Sequence, residues 1–241
     1  MNKIERIVGM ATTAALMLLG AQAALATPIS GNSLQTILNK ITVGGSSSVN
    51  VQTDQLNYDK NWSISASGGS VSTFVIELAG FAPLNTFGIY SGDNSVEIFN
   101  GAATGGHQAL ISILEDGSVR RNFSDTGIDF AGNLFGYYLN TPNGTFYSDS
   151  ALNLDGFDHL VAFQGEGDRV RIKPFAAGIW ASNEYVLAWE DLYGGGDRDY
   201  NDMVIMVESV TPTIPVPEPS TLLLLAAGLI GAAAFRRKNP Q

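Results

Sequence analysis

Between Trp189 and Asp202 the chain gathers Glu190, Asp191, Asp197, Asp199, Asn201 and Asp202, interrupted by Gly194-Gly195-Gly196. An apolar run from Tyr185 to Trp189 enters this segment and another from Met203 to Val207 leaves it, which predicts a β-hairpin with a carboxylate-loaded loop. The glycines permit a tight backbone path. Carboxylates this close repel one another, and Arg198 is the only cation among them. A hard divalent ion offsets that repulsion, and carboxylate, amide and carbonyl oxygens are the ligands calcium prefers. One arrangement therefore holds calcium through Asp197, Asp199, Asn201 and Asp202, helped by Glu190 or Asp191 from across the hairpin. The other satisfies the acids through Asx-type turns and pairing with Arg198. The two can hold for different residues. The spacing of Asp197, Asp199, Asn201 and Glu208 imitates an EF-hand, but Asp202 stands where the turn-making Gly belongs, and a strand over Met203 to Val207 carries Glu208 about 20 Å away.

Other chemistries have weaker support. With no cysteine, thiol catalysis, zinc thiolates and disulfides are excluded. The two histidines, His107 and His159, have no G-x-S-x-G elbow to serve, and each reads as a hydrogen-bonded structural residue. Two carboxylates suffice for a polysaccharide hydrolase, yet no acidic pair stands in an apolar pocket context. The expectation is a non-enzymatic protein. Trp62, Trp180 and Trp189, with eight tyrosines, offer either core packing or a sugar-stacking face for a lectin-like module. The net charge is −10, to which residues 1–26 contribute +1 and residues 211–241 contribute +2, leaving −13 on residues 27–210. Such a body repels a phosphate backbone, so nucleic acid is excluded as a partner.

The elements that position the acidic loop are short. Val71 to Leu78, Phe87 to Tyr90, Val96 to Phe99, Ala109 to Leu114, Phe135 to Leu139, His159 to Phe163, Tyr185 to Trp189 and Met203 to Val207 read as strands, separated by Gly, Asn and Asp turn signals. Only 15% of residues are charged, against roughly 25% in an average soluble chain. The fold class is all-β, a β-sandwich or jelly roll. One short helix is predicted over Ser33 to Ile41, where Leu34, Ile37, Leu38 and Ile41 recur at helical spacing. Residues 27–210 form a single domain, and Thr211 to Pro215 read as an extended spacer.

The two ends carry targeting signals. Lys3 and Arg6, an apolar stretch from Ile7 to Leu19 and the box Ala24-Leu25-Ala26 have the layout of a secretory signal peptide over 1–26. Near the other end, Pro217-Glu218-Pro219 precedes an apolar run from Thr221 to Phe235 and the basic Arg236-Arg237-Lys238. Fifteen helical residues span about 22 Å, short of the roughly 30 Å hydrocarbon core. This tail resembles the PEP-CTERM sorting signal of Gram-negative bacteria. The resemblance implies export, recognition by an exosortase-type enzyme, removal of the tail near the motif, only transient membrane contact, and release or attachment at the cell surface, commonly in an exopolysaccharide matrix.

The run Tyr185 to Val207, with its Trp-Glu-Asp-Leu and Gly-Gly-Gly-Asp-Arg-Asp-Tyr-Asn-Asp motifs, resembles the family of domain of unknown function 4114. Phe135-Gly136-Tyr137-Tyr138-Leu139, Phe146-Tyr147-Ser148 and Asn153 to His159 look like its earlier motifs, so the likeness runs from about Phe87 to Glu208. It implies a β-rich module of bacterial surface and matrix proteins without an established activity. Together the readings give an exported, calcium-binding surface or matrix protein with a structural or adhesive role.

Overall fold

The computed structural model describes residues 26–77 and 83–213. Ala24 of the predicted cleavage box, the Pro217-Glu218-Pro219 motif and the apolar tail lie outside the described residues; Ala26 is the first residue within them. In chain order the elements are α1 (Ser33–Ile41), β1 (Trp62–Ile64), β2 (Ser70–Glu77), β3 (Thr86–Ser91), β4 (Asn94–Phe99), β5 (Gln108–Ile113), β6 (Ser118–Arg121) and β7 (Ser124–Asp129). There follow β8 (Gly136–Thr141), β9 (Gly144–Tyr147), β10 (Leu160–Gln164), β11 (Arg169–Val170), β12 (Gly178–Ile179), β13 (Glu184–Trp189), β14 (Met203–Glu208) and β15 (Val210–Pro212). The large sheet has the order β10-β13-β14-β2-β5-β6-β7, the smaller one the order β4-β3-β8-β9, and every pairing is antiparallel.

The two sheets enclose one core. Phe87, Ile89, Ile98, Tyr137, Leu139 and Phe146 from the smaller sheet share a cluster with Ile111, Leu160, Leu187, Trp189, Met203 and Ile205 from the larger one. The all-β sandwich read from the strand spacing is therefore present. The larger sheet also buries its other face at the β10-β13-β14 end. There Val161, Phe163, Val186, Ala188, Val204 and Met206 meet Leu34, Ile37, Leu38 and Ile41 of α1 in a second cluster. These three strands are covered on both sides, which is why their sequences are apolar without a break. The helix takes the bounds its periodicity predicted, Ser33–Ile41, with Asn32 at its start making no side-chain cap.

Several strands had no clear signal. β6 and β7 carry Ser-Val-Arg-Arg and Ser-Asp-Thr-Gly-Ile-Asp, polar stretches that stay largely exposed and join the sheet through backbone hydrogen bonds. The chain also remains folded past the start of the expected spacer. Val210–Pro212 pair with Trp62–Ile64, and the Thr213 amide donates to the Asn61 carbonyl at 2.7 Å.

The second core makes α1 part of the fold. Leu38, fully buried in it, gives the test: Leu38→Ala lowers stability by about 2–5 kcal/mol, measured by denaturant unfolding.

Candidate metal centre

The acidic hairpin forms as the sequence indicates. Trp189 pairs with Met203 across the β13–β14 ladder, and residues 190–202 make the loop. Both ends of the loop are pinned. The Glu190 amide donates to the His159 carbonyl at 3.0 Å, and the Asp191 amide donates to Asp202 Oδ2 at 3.0 Å. Further along, the Gly194 amide donates to Asp155 Oδ2 at 2.7 Å, and the Tyr200 hydroxyl donates to the Asp158 carbonyl at 2.6 Å. The glycine run is needed for close approach. Gly195 has φ +79°, and a Cβ there would fall 2.0 Å from the Phe157 ring; a Cβ on Gly196 would fall 2.6 Å from Glu190 Oε2. Arg198 and Tyr200 also adopt left-handed backbone, φ 62° and 52°. Such conformations cost a non-glycine residue about 1–2 kcal/mol each. Tyr200 is held there by burial and by its two hydrogen bonds.

This path brings three acids together. One carboxylate oxygen each from Glu190, Asp197 and Asp199 lie within 4.8 Å of one another. Glu190 is fully buried: its Oε1 accepts the Tyr200 amide at 2.6 Å, while Oε2 has no hydrogen-bond partner among the described residues. Burial, then the charges of Asp202, Asp197 and Asp199, push its carboxyl up to about 8, against the pull of the Tyr200 amide. Asp199 is likewise raised, first by burial and then by Asp197, with hydrogen bonds from Ser33 and the Asn201 amide opposing. Arg198 does not neutralise the group. Its guanidinium lies 5.0 Å from the centre of the Phe157 ring, and it makes no ion pair among the described residues.

The remaining predicted ligands are arranged differently. Asp202 clamps the Asp191 amide, and its carboxyl is pushed up to about 7 by burial and by Asp191, Asp199 and Asp197. Asp191 is buried and accepts from Asn85 Nδ2 at 3.0 Å. Asn201 donates both its backbone amide and its side-chain amide to Asp199, an Asx-type turn. Glu208 ends β14 opposite Glu184, at the far end of the strand from the loop. The hairpin thus divides into a triad of converging carboxylates, Glu190, Asp197 and Asp199, and a clamp in which Asp202 holds the Asp191 amide.

Two further residues support the site: His159, read from the sequence as a hydrogen-bonded structural residue, and Asp155, given no role there. Asp155 Oδ2 receives the Gly194 amide and lies 2.9 Å from His159 Nε2; His159 Nδ1 lies 3.0 Å from the Glu190 carbonyl. Both ring nitrogens face oxygen atoms. The ring is fully buried and stacks on Phe146 at 3.7 Å. Burial alone would raise Asp155, but hydrogen bonds from Gly194, His159 and Phe157 hold it below its ordinary value. The four-residue spacing of Asp155 and His159 was the available signal. Trp62, Trp180 and Trp189 are all fully buried and so belong to the core, not to a sugar-stacking face.

Residues 104–210 match the family described as Domain of unknown function (DUF4114), and residues 215–238 match the PEP-CTERM protein-sorting motif. Neither match reaches half of the chain. The DUF4114 match contains the whole acidic hairpin together with Asp155 and His159. It begins after β4, yet β2 lies between β14 and β5 in the large sheet and β3 pairs with β8 in the smaller one, so the folded body is larger than the match. The PEP-CTERM motif marks an exported protein, sorted by an exosortase-type enzyme and processed at its C-terminus. No curated protein and no solved structure matches the chain. Among the described residues no helix is long and apolar enough to cross a membrane.

The raised carboxyls have a pH signature. Glu190 and Asp202 hold their protons more tightly in the folded state than in the unfolded chain, where they titrate near 4.5 and 3.8. Their contribution to stability is complete below those values and is lost as pH rises through about 7 and about 8. In chelator, the melting temperature should fall from pH 5 to pH 8. Glu190→Gln should raise it at pH 8 and flatten the slope; an unchanged slope contradicts the assignment.

Proposed function

We propose that the protein is a non-enzymatic component of the cell surface or extracellular matrix, and that its β13–β14 hairpin binds calcium through Glu190, Asp197 and Asp199. The observation that carries the metal reading is the Glu190 carboxylate: fully buried, with one oxygen lacking a hydrogen-bond partner among the described residues and two further acids beside it. A lone buried charge is costly, and a divalent cation supplies the compensation that Arg198 does not. Calcium takes six to eight oxygens, so backbone carbonyls of the glycine turn and water would complete the shell beside the three carboxylates.

The non-enzymatic reading is supported by how the titratable groups are used. His107 sits in a loop against Thr104, with exposed hydrogen bonds to it, and His159 is enclosed between the Glu190 carbonyl and Asp155. The acids converge as a ligand set, where hydrolysis needs a proton donor and a base flanking a cleft. A structural or adhesive role in an exopolysaccharide matrix agrees with export through the PEP-CTERM motif and with the acidic character of the body.

Calcium in excess should raise the melting temperature relative to chelator, and at about a hundredfold excess over its dissociation constant the gain approaches roughly 2.7 kcal/mol. Glu190→Gln and the double variant Asp197→Asn, Asp199→Asn should each abolish that shift; coincident wild-type curves with and without calcium defeat the reading. Separately, replacing Pro217-Glu218-Pro219 with alanines should leave the tail uncut, seen as a heavier, membrane-retained product in fractionated cells.

A further inference from the structure

A cavity of about 910 Å³ lies between α1 and the chain just after β11, at the upper end of the size range of small-molecule sites. Its charge runs against that of the protein. Residues 27–210 carry only eight Lys and Arg against a net −13, yet three of the eight, Lys40, Arg171 and Lys173, line this one cavity. No Asp or Glu lines it, and none of the three cations has an ion-pair partner among the described residues. In a chain so rich in carboxylates, cations that merely balanced local charge would have acids beside them. Cations gathered unpaired around a concavity instead draw an anion toward it.

The rest of the lining narrows the ligand. Ile172, half-buried against the second core, and the edges of the buried Ile37 and Ile41 give the lining an apolar part, while Asn32, Thr36 and Asn201 add amide and hydroxyl groups. A ligand suited to this site has carboxylates, hydroxyls and an apolar ring face on the same short segment. We propose that the groove binds a carboxylated glycan, with the uronate groups held by Lys40, Arg171 and Lys173 and the C–H faces of the sugar rings against Ile172 and the edges of Ile37 and Ile41. Three single charges lining one groove suit a polymer with one charge per ring. The dense charge of a nucleic acid would be repelled by the acidic body around it. The inference deepens the matrix reading by giving the class of glycan; its three cations are not calcium ligands, although Asn201, which donates to Asp199, borders both sites.

The test is calorimetric titration of the protein in chelator with oligogalacturonate and, in parallel, with the same oligosaccharide after reduction of its carboxyls to alcohols. The uronate should bind, more weakly at physiological than at low ionic strength, and the reduced sugar should not. Combined Lys40→Gln, Arg171→Gln and Lys173→Gln should weaken binding by roughly tenfold or more with an unchanged melting temperature, since all three residues are exposed. Lys173→Gln alone should give a smaller loss in the same direction. Equal binding of the reduced sugar, undiminished binding by the triple variant, or tighter binding of poly-glutamate than of the uronate overturns the proposal. Failure here with intact retention of the protein on its native matrix removes the groove and leaves the matrix reading standing; the calcium-induced melting shift is read independently.

Discussion

The β13–β14 ribbon is covered on both faces, by the sandwich core on one side and by α1 on the other. A strand pair enclosed in this way cannot splay to relieve strain at its tip. Glu190, the first residue beyond the ladder, is therefore fixed in place, and the repulsion it feels from Asp197 and Asp199 is met by proton uptake or by a counter-ion. The rigidity of the ribbon is what turns an acidic loop into a candidate site. A similar cluster on a free loop would relax into solvent.

The supports around the hairpin reinforce this. Asp155, lying upstream of β10, reaches the Gly194 amide, and His159 links that carboxylate to the Glu190 carbonyl. Phe157 packs against Gly195 on one side and beneath Arg198 on the other. The cation is thereby held on an aromatic face and kept from the acids that would otherwise capture it.

How far the sequence discloses this differs by element. Leu34, Ile37, Leu38 and Ile41 announce the helix because one face of it is buried along its whole length. β10, β13 and β14 are legible for the opposite reason: burial on both faces leaves unbroken apolar runs. β6 and β7 are held by their ladder and by one or two inward residues, and nothing in Ser124–Asp129 separates a polar edge strand from a loop. At the site, six oxygen-bearing residues are visible in sequence, but their division into triad and clamp is not. It depends on Glu190 being enclosed and on Asp202 turning back to the Asp191 amide, both consequences of three-dimensional packing. The contact from Asp155 to Gly194 spans 39 positions and is equally invisible to local pattern.

The pairing of β15 with β1 fixes where the chain leaves the body. Trp62 is joined by backbone hydrogen bonds to Phe135 beside the smaller sheet, and its neighbour Asn61 accepts the Thr213 amide. Trp62 pairs with Pro212, the rung nearest Thr213, and its side chain is fully buried, so pull applied at Thr213 meets the core anchor at once. The strand end is thus clamped where such a pull would arrive, with the sandwich core directly behind it.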